Sequence, residues 1–216
     1  PNKPFKSLIN YKNFNKIYFR VYSVKKEDID KARNEYNSYY SKYKSYKDYS
    51  AVLIDYFKDK KSESEFDFSL PDDKDYQGHS AEVKIDGLPF GNYLIFASDK
   101  SDFSYDGGCV GYGFTTISNI SMISRKKKNN DYEFRLLQRD TGSPIKDAKV
   151  EIYEQKYNNL LSQYQYNKIS SIKTEEEGTF EIKSNAKDYR TLYIEISKGE
   201  DKFEFIGANS GKNEDK

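Results

Sequence analysis

The sequence has no tryptophan, one cysteine, one methionine and one histidine among its 216 residues. The single cysteine, Cys109, excludes an internal disulfide. Cys109 together with the lone histidine, His79, also falls short of a four-ligand structural zinc site. A Ser–His–Asp or Cys–His centre would have to run through His79, and neither His79 nor Cys109 sits on a recognisable catalytic signature. They read as a loop histidine and a sheet cysteine. Charge of one sign is missing as well. The 36 basic and 35 acidic side chains leave a net charge of +1, which gives no electrostatic footprint for a phosphate backbone, so no nucleic-acid partner is expected. The only basic run, Arg125 to Lys128, leads into Asn129-Asn-Asp131 and reads as a solvated loop. No stretch approaches the roughly 20 apolar residues that cross a bilayer, so no membrane span is expected. No signal peptide is visible, but the chain opens on Pro1 rather than Met and reads as a processed or excised fragment.

What the sequence has in quantity is tyrosine: 21 Tyr and 14 Phe, within a hydrophobic share of only 36% and a charged share of 33%. Thin cores must therefore draw much of their buried area from rings. Tyr and Phe suit pleated sheets, where a ring packs across strands and a phenol stays wet, so a mostly β protein is expected.

Along the chain, residues 1–15 are polar with scattered apolar positions and carry no clear strand signal. Lys16 to Val24 alternate: Ile17, Phe19 and Val21 lie on one face, and Tyr18, Arg20, Tyr22 and Val24 on the other. From Lys26 to about Lys60 the period changes. Ile29, Ala32, Tyr36, Tyr39, Tyr43, Tyr46, Leu53 and Phe57 form a helical stripe, with Glu27, Asp28 and Asp30 in the first turn. Asp48 or Ser50 can cap a second piece, so the spacing predicts a helical insertion breaking near 47–50 and laid over a sheet. A coiled-coil seam would use tyrosine poorly. Strand character returns at Glu65–Leu70, Ala81–Ile85, Asn92–Ser98 and Cys109–Thr116.

The most distinctive stretch is Asp140-Thr-Gly-Ser-Pro-Ile-Lys-Asp-Ala-Lys-Val-Glu-Ile-Tyr153, followed by Thr174-Glu-Glu-Glu-Gly-Thr-Phe-Glu-Ile182. The first holds a strand end, a Thr141-Gly142 turn, a re-entry fixed by Pro144, and a strand with Ala148, Val150 and Ile152 on one face. The second is a charged turn closed by Gly178, with Phe180 and Ile182 alternating after it. Short strands then recur at 8–12-residue spacing, the pattern of an immunoglobulin-like sandwich. The stretch between Tyr153 and Lys168 reads as a long loop, and Ala208–Lys216 as a frayed tail.

These two stretches resemble the macroglobulin-like β-sandwich domains of the bacterial α2-macroglobulin family. Two further pieces extend the resemblance. Gly87-Leu-Pro-Phe-Gly-Asn-Tyr-Leu94 is similar to the element that closes such a domain. The serine-bearing strand at 117–124 is similar to one linking consecutive domains. Leu70-Pro71 through His79-Ser80 looks like a stretch of the Bacteroidetes members. The expected fold is two tandem immunoglobulin/fibronectin-like antiparallel β-sandwiches, 1–117 with a helical insertion at about 26–60, and 118–216.

The resemblance implies non-catalytic structural domains of an exported protein, periplasmic or at the cell surface and possibly lipid-anchored. The whole protein would trap peptidases, and the partners would be neighbouring domains of the same chain and the trapped enzymes. The family's reactive centre, an internal thioester in a Cys-x-Glu-Gln segment, is absent here, since Cys109 is followed by Val-Gly-Tyr. No bait region is identifiable.

Other chemistry finds no footing. Asp72, Asp73, Asp75 and Asp86 lack the alternation, central glycine and terminal glutamate of a calcium loop, and read as solvated turns. Gly107-Gly-Cys-Val-Gly-Tyr-Gly113 lacks the phosphate-loop lysine and precedes a strand, so its glycines read as permitting a turn and a bulge. Glu63, Glu65, Asp67 and Glu175–Glu177 could be imagined as paired carboxylates for glycoside chemistry, but the last three belong to the turn. No catalytic, cofactor or metal residue is assigned. Two rivals stay open: a cell-surface adhesion or glycan-binding module using Tyr153, Tyr157, Tyr164 and Tyr166, and an envelope-anchored enzyme.

Overall fold

The computed structural model describes residues 1–43, 48–71, 74–105, 108–160, 163–183 and 190–210. The chain is mostly β, and its contacts divide it into two compact units, Pro1–Ile117 and Ser118–Lys216.

The first unit runs β1 (Phe5–Tyr11), β2 (Lys16–Ser23), α1 (Lys26–Tyr43), α2 (Tyr49–Phe57), β3 (Ser64–Ser69), β4 (His79–Ile85), β5 (Gly91–Ser98) and β6 (Val110–Ile117). β1 and β4 pair as a two-stranded sheet, and the other four form a sheet in the order β3-β2-β5-β6, all antiparallel. The alternation in β2 sends Ile17, Phe19 and Val21 towards Val83 and Ile85 of the small sheet. Tyr22 and Val24 go the other way, towards the helices. β5 divides likewise, Tyr93 and Ile95 against Leu94 and Phe96. Both strands read as near-continuous apolar runs because both of their faces are covered, one by a sheet and one by helices.

Residues 5–11 are a strand, although the sequence showed no strand signal there. The inward positions are Phe5, Ser7, Ile9 and Tyr11, while Leu8 points out and is 67% exposed. A serine inside and a leucine outside erase the alternation on which a sequence reading depends.

The helical insertion breaks as the spacing predicts. Asp48 caps α2, its carboxylate accepting from the Ser50 amide at 2.9 Å. Ala32, Leu53, Ile54 and Phe57 pack on Tyr22, Leu94 and Phe96, so the helices lie on the sheet. Phe57 is fully buried, with its ring 5.4 Å from that of Tyr22. Burying such a ring contributes about 1.5–3 kcal/mol. Further along the stripe Tyr36 meets Tyr49 at 5.4 Å, and Tyr39 is exposed. The Tyr43 side chain and Tyr46 lie outside the described residues.

The second unit runs β7 (Ile120–Lys126), β8 (Tyr132–Gln138), β9 (Lys149–Asn158), β10 (Gln163–Lys173), β11 (Thr179–Ile182), β12 (Arg190–Lys198) and β13 (Asp201–Ser210). Sheets β11-β8-β7 and β10-β9-β12-β13 enclose one core. It is built from Ile120, Phe134 and Leu136, then Ala148, Val150 and Ile152, then Phe180, Ile182 and the inward face of β12. The stacked rings of Phe134 and Phe180, 4.8 Å apart, bridge β8 and β11.

The two distinctive stretches lock onto each other over β8. Gly142 sits at φ +71 and its amide returns to the Gln138 carbonyl at 2.8 Å. Pro144 bridges Leu137, and the Ile145 amide donates to Leu136 at 3.0 Å. Thr174, 3% exposed, joins the two turns: its hydroxyl accepts from the Ala148 amide at 2.9 Å and donates to the Ile145 carbonyl at 2.6 Å. Gly178 cannot be replaced freely. Its φ is +71, and an added Cβ would lie 2.4 Å from the Leu136 carbonyl oxygen. These residue types are therefore fixed by backbone geometry.

Two expectations are corrected. The tyrosine-rich stretch after Tyr153 is a β-hairpin arm, with β9 continuing to Asn158 and β10 starting at Gln163, opposite it. It carries polar residues on both faces, which removes the apolar alternation that marks a strand. Residues 208–210 belong to β13, not to a tail. Residues 211–216 lie outside the described residues.

Candidate functional site

His79 opens β4 directly across from Tyr11, the last residue of β1. Its ring stands 5.6 Å from that of Tyr11, and its Nε2 is 2.9 Å from Asp75 Oδ1. The same oxygen accepts from the Gln77 amide at 2.8 Å. Those bonds, the backbone one first, hold the Asp75 carboxyl below the ordinary carboxylate range. Tyr11, Phe14, Asp75, Gln77 and His79 line a cavity of about 370 Å³. A carboxylate orienting an imidazole is two-thirds of a hydrolytic triad. Among the described residues, the cavity lining contains no serine, threonine or cysteine to complete it. Cys109 lines a different groove, and its amide donates to Asp99 Oδ1 at 2.7 Å. The structure thus does not bring His79 and Cys109 together.

The acidic residues are likewise occupied. Asp67 is 3.1 Å from Lys16 Nζ and Glu65 is 3.5 Å from Arg20 Nε, each across the β2–β3 pairing. In the turn before β11, Glu176 pairs with Lys146 and Glu177 with Arg135, while Glu175 accepts from the Thr179 hydroxyl at 3.2 Å. Asp86 stands 3.6 Å from Lys84. Asp72, Asp73 and Gly107 lie outside the described residues. Among the described residues, no three His, Cys, Asp or Glu side chains converge as a metal ion requires.

The tyrosine face of the second unit meets edge to face. Tyr166 lies 5.1 Å from Tyr193 at 62°, and Tyr157 lies 5.1 Å from Tyr164 at 69°. Such pairs fill space between strands well. Gln155 Nε2 donates to the Tyr166 hydroxyl at 3.0 Å and ties the arm together.

A second concavity left no mark in the sequence. A groove of about 470 Å³ runs between β1 and β6, with Phe14, Ile17, Phe19, Ile95 and Ala97 at its floor. The glycines of β6 help to make it. Gly113 pairs with Ile95 and Gly111 with Ala97, so both face inward, and an added Cβ at either would meet nothing within 4 Å. β6 keeps register with β5 over its whole length. The bulge expected from these glycines is therefore absent, and their effect is to leave the groove unfilled. Among the described residues, Lys6 and Asp99 are the only charged ones in its lining.

No protein-family model matches the sequence, and no curated protein matches it either. Solved structures do match. A crystal structure of native alpha-2-macroglobulin from Escherichia coli spanning domains MG0-NIE-MG1 superposes with a TM-score of 0.59 at 12% identity. It covers 92% of this chain and 57% of that one, so this chain spans little more than half its length. A second, spanning domains NIE-MG1, gives a TM-score of 0.55 at 12% identity, covering 92% of this chain and 86% of that one. What this chain shares with those domains is the macroglobulin-like β-sandwich fold, over nearly all of its length.

Proposed function

We infer that the chain forms two non-catalytic scaffold domains of a bacterial α2-macroglobulin-like protein of the cell envelope, exported and of the Bacteroidetes type. The whole protein acts as a broad-range peptidase trap. The observation that carries this reading is the fold likeness to E. coli alpha-2-macroglobulin domains across 92% of the chain. The site chemistry agrees with it: the conspicuous Thr174, Gly178 and Glu175–Glu177 are engaged in turns. In this role the chain's work is interfacial. Its units pack against neighbouring domains of the same protein and move with them when a peptidase is enclosed.

A trap works by steric exclusion, so it separates large substrates from small ones. The test uses the full-length protein incubated with a trypsin-like peptidase. Cleavage of a large protein substrate is expected to fall while a small chromogenic peptide is still cleaved. Unchanged cleavage of both substrates, or equal loss of both, sinks the reading.

A further inference from the structure

The cavity where β1 ends and β4 begins carries chemistry that a scaffold does not use. Its wall joins the turn between β1 and β2 to residues 74–79. Protein bonds fix its shape. The Tyr11 hydroxyl donates to the Pro71 carbonyl at 3.2 Å, and the Leu70 amide donates to the Asn15 carbonyl at 2.8 Å. Three lining residues, Asn13, Lys74 and Tyr76, have φ of 61°, 52° and 57°. Residues with a side chain rarely adopt that conformation, and it collects at ligand sites.

The polar groups of the wall are of one kind. Asn13, Asn15 and Gln77 carry side-chain amides that, among the described residues, bond to no other protein group. Each amide offers two donors and an acceptor. Asp75 engages Gln77 and His79 through Oδ1, which leaves Oδ2 to accept from a ligand. Rings supply the rest. Tyr11 packs beside Phe14 and His79, with centroids 5.8 and 5.6 Å away. Tyr76 is 76% exposed and, among the described residues, its ring touches no other ring. The electron-rich face of such a ring attracts polarised C–H bonds. Lys74 and Asp75 bring opposite charges to the wall, so it selects for neither sign.

We propose that this cavity binds an uncharged hexopyranose sugar, with one C–H face stacked on Tyr76 and its hydroxyls bonded to Asn13, Asn15, Gln77 and Asp75. Sugar hydroxyls both donate and accept, which suits side-chain amides and a carboxylate oxygen, whereas an apolar ligand would leave those groups unmatched. The volume, about 370 Å³, lies at the lower end of small-molecule sites and suits a monosaccharide or disaccharide. A free sugar and the end of a glycan chain present the same ring. The proposal rests on the cavity alone and stands independently of the peptidase-trap reading.

The probes are the methyl β-glycosides of glucose, galactose, mannose and N-acetylglucosamine, titrated into the 216-residue chain. Saturable binding of at least one is expected by calorimetry, with a Kd of about 0.1–10 mM. In NMR spectra of the same chain, amide shifts are expected to move at residues 11–15 and 74–79. Tyr76→Gly removes the ring and suits the left-handed backbone there, so it is expected to keep the melting temperature and weaken binding at least about tenfold. Gln77→Ala is expected to weaken it in the same direction. A β-linked tetrasaccharide of the bound sugar separates the two sources: tighter binding marks a glycan end and equal binding a free sugar, and both support the site. No binding of any glycoside at about 50 mM, or shifts confined to other residues, overturns the proposal. So does unchanged affinity in Tyr76→Gly, or tighter binding of the zwitterion glycylglycine than of every glycoside.

Discussion

The two units share a strand order and secure it by different means. The second closes both flanks with strands and locks two distant turns through one buried hydroxyl, that of Thr174. The first leaves one flank open and covers the opposite face of its larger sheet with α1 and α2. In the second, a few positions over the apolar core have their residue type fixed by geometry, a hydroxyl at Thr174 and a bare Cα at Gly178. In the first, the helical layer meets the sheet through rings, with Tyr22, Phe57 and Phe96 in mutual contact. Turn chemistry marks the second unit's sequence as fixed residue types, and aromatic packing marks the first unit's as periodicity.

The sharpest way to break this comparison is to remove the helical layer's anchor. Phe57→Ala is expected to destabilise the first unit by about 3–5 kcal/mol, seen by calorimetry as a lowered transition for that unit. A shift below about 1 kcal/mol would make the helices an appendage and not part of the core. Next in size is Thr174→Val in the second unit. It leaves the Ala148 amide and Ile145 carbonyl without their partner, at an expected cost of about 1–3 kcal/mol read from the urea midpoint. A neutral result would mean that the lock between the turns is held by backbone alone.

The smallest effect is also the most specific. Two hydrogen bonds from Ser50, its side chain's first and then its amide's, hold the Asp48 carboxyl below its ordinary range. A carboxylate depressed in the folded state stabilises above its unfolded value, about 3.9, and loses that contribution as pH falls through the lower folded value. Asp48→Ala is therefore expected to cost the first unit about 1 kcal/mol or less at neutral pH. The gap between variant and parent should close in acid. A gap constant down to the lowest pH would show that the cap does not act through its charge.

How much of this was legible in the sequence follows from the same contrast. The inward faces of β9 and β11 and the turns at Gly142 and Gly178 could be read residue by residue, because alternation and turn geometry leave no latitude there. The break of the helical insertion at Asp48 was legible from capping chemistry. β1 was not, because Ser7 faces in and Leu8 faces out. The β9–β10 arm was not either, because beyond Tyr153 it carries polar side chains on both faces. The groove could not have been found from sequence, since it joins strands far apart in the chain and is shaped by side chains that glycine does not have. The His79–Asp75 pairing joins residues four apart, but the ring of Tyr11 that backs it comes from the far end of β1.

The open flank also has a bearing on solubility. Among the described residues β1 pairs with β4 alone and β6 with β5 alone, and such edges beside an apolar floor are a template on which copies of the chain could stack into aggregates. The strands at that flank are poor material for such growth. β6 carries Gly111 and Gly113, which lower its strand propensity, and β1 carries Lys6, held by Glu82 on its neighbour. The glycines that keep the groove empty are thus also the residues that discourage its filling by the chain's own copies.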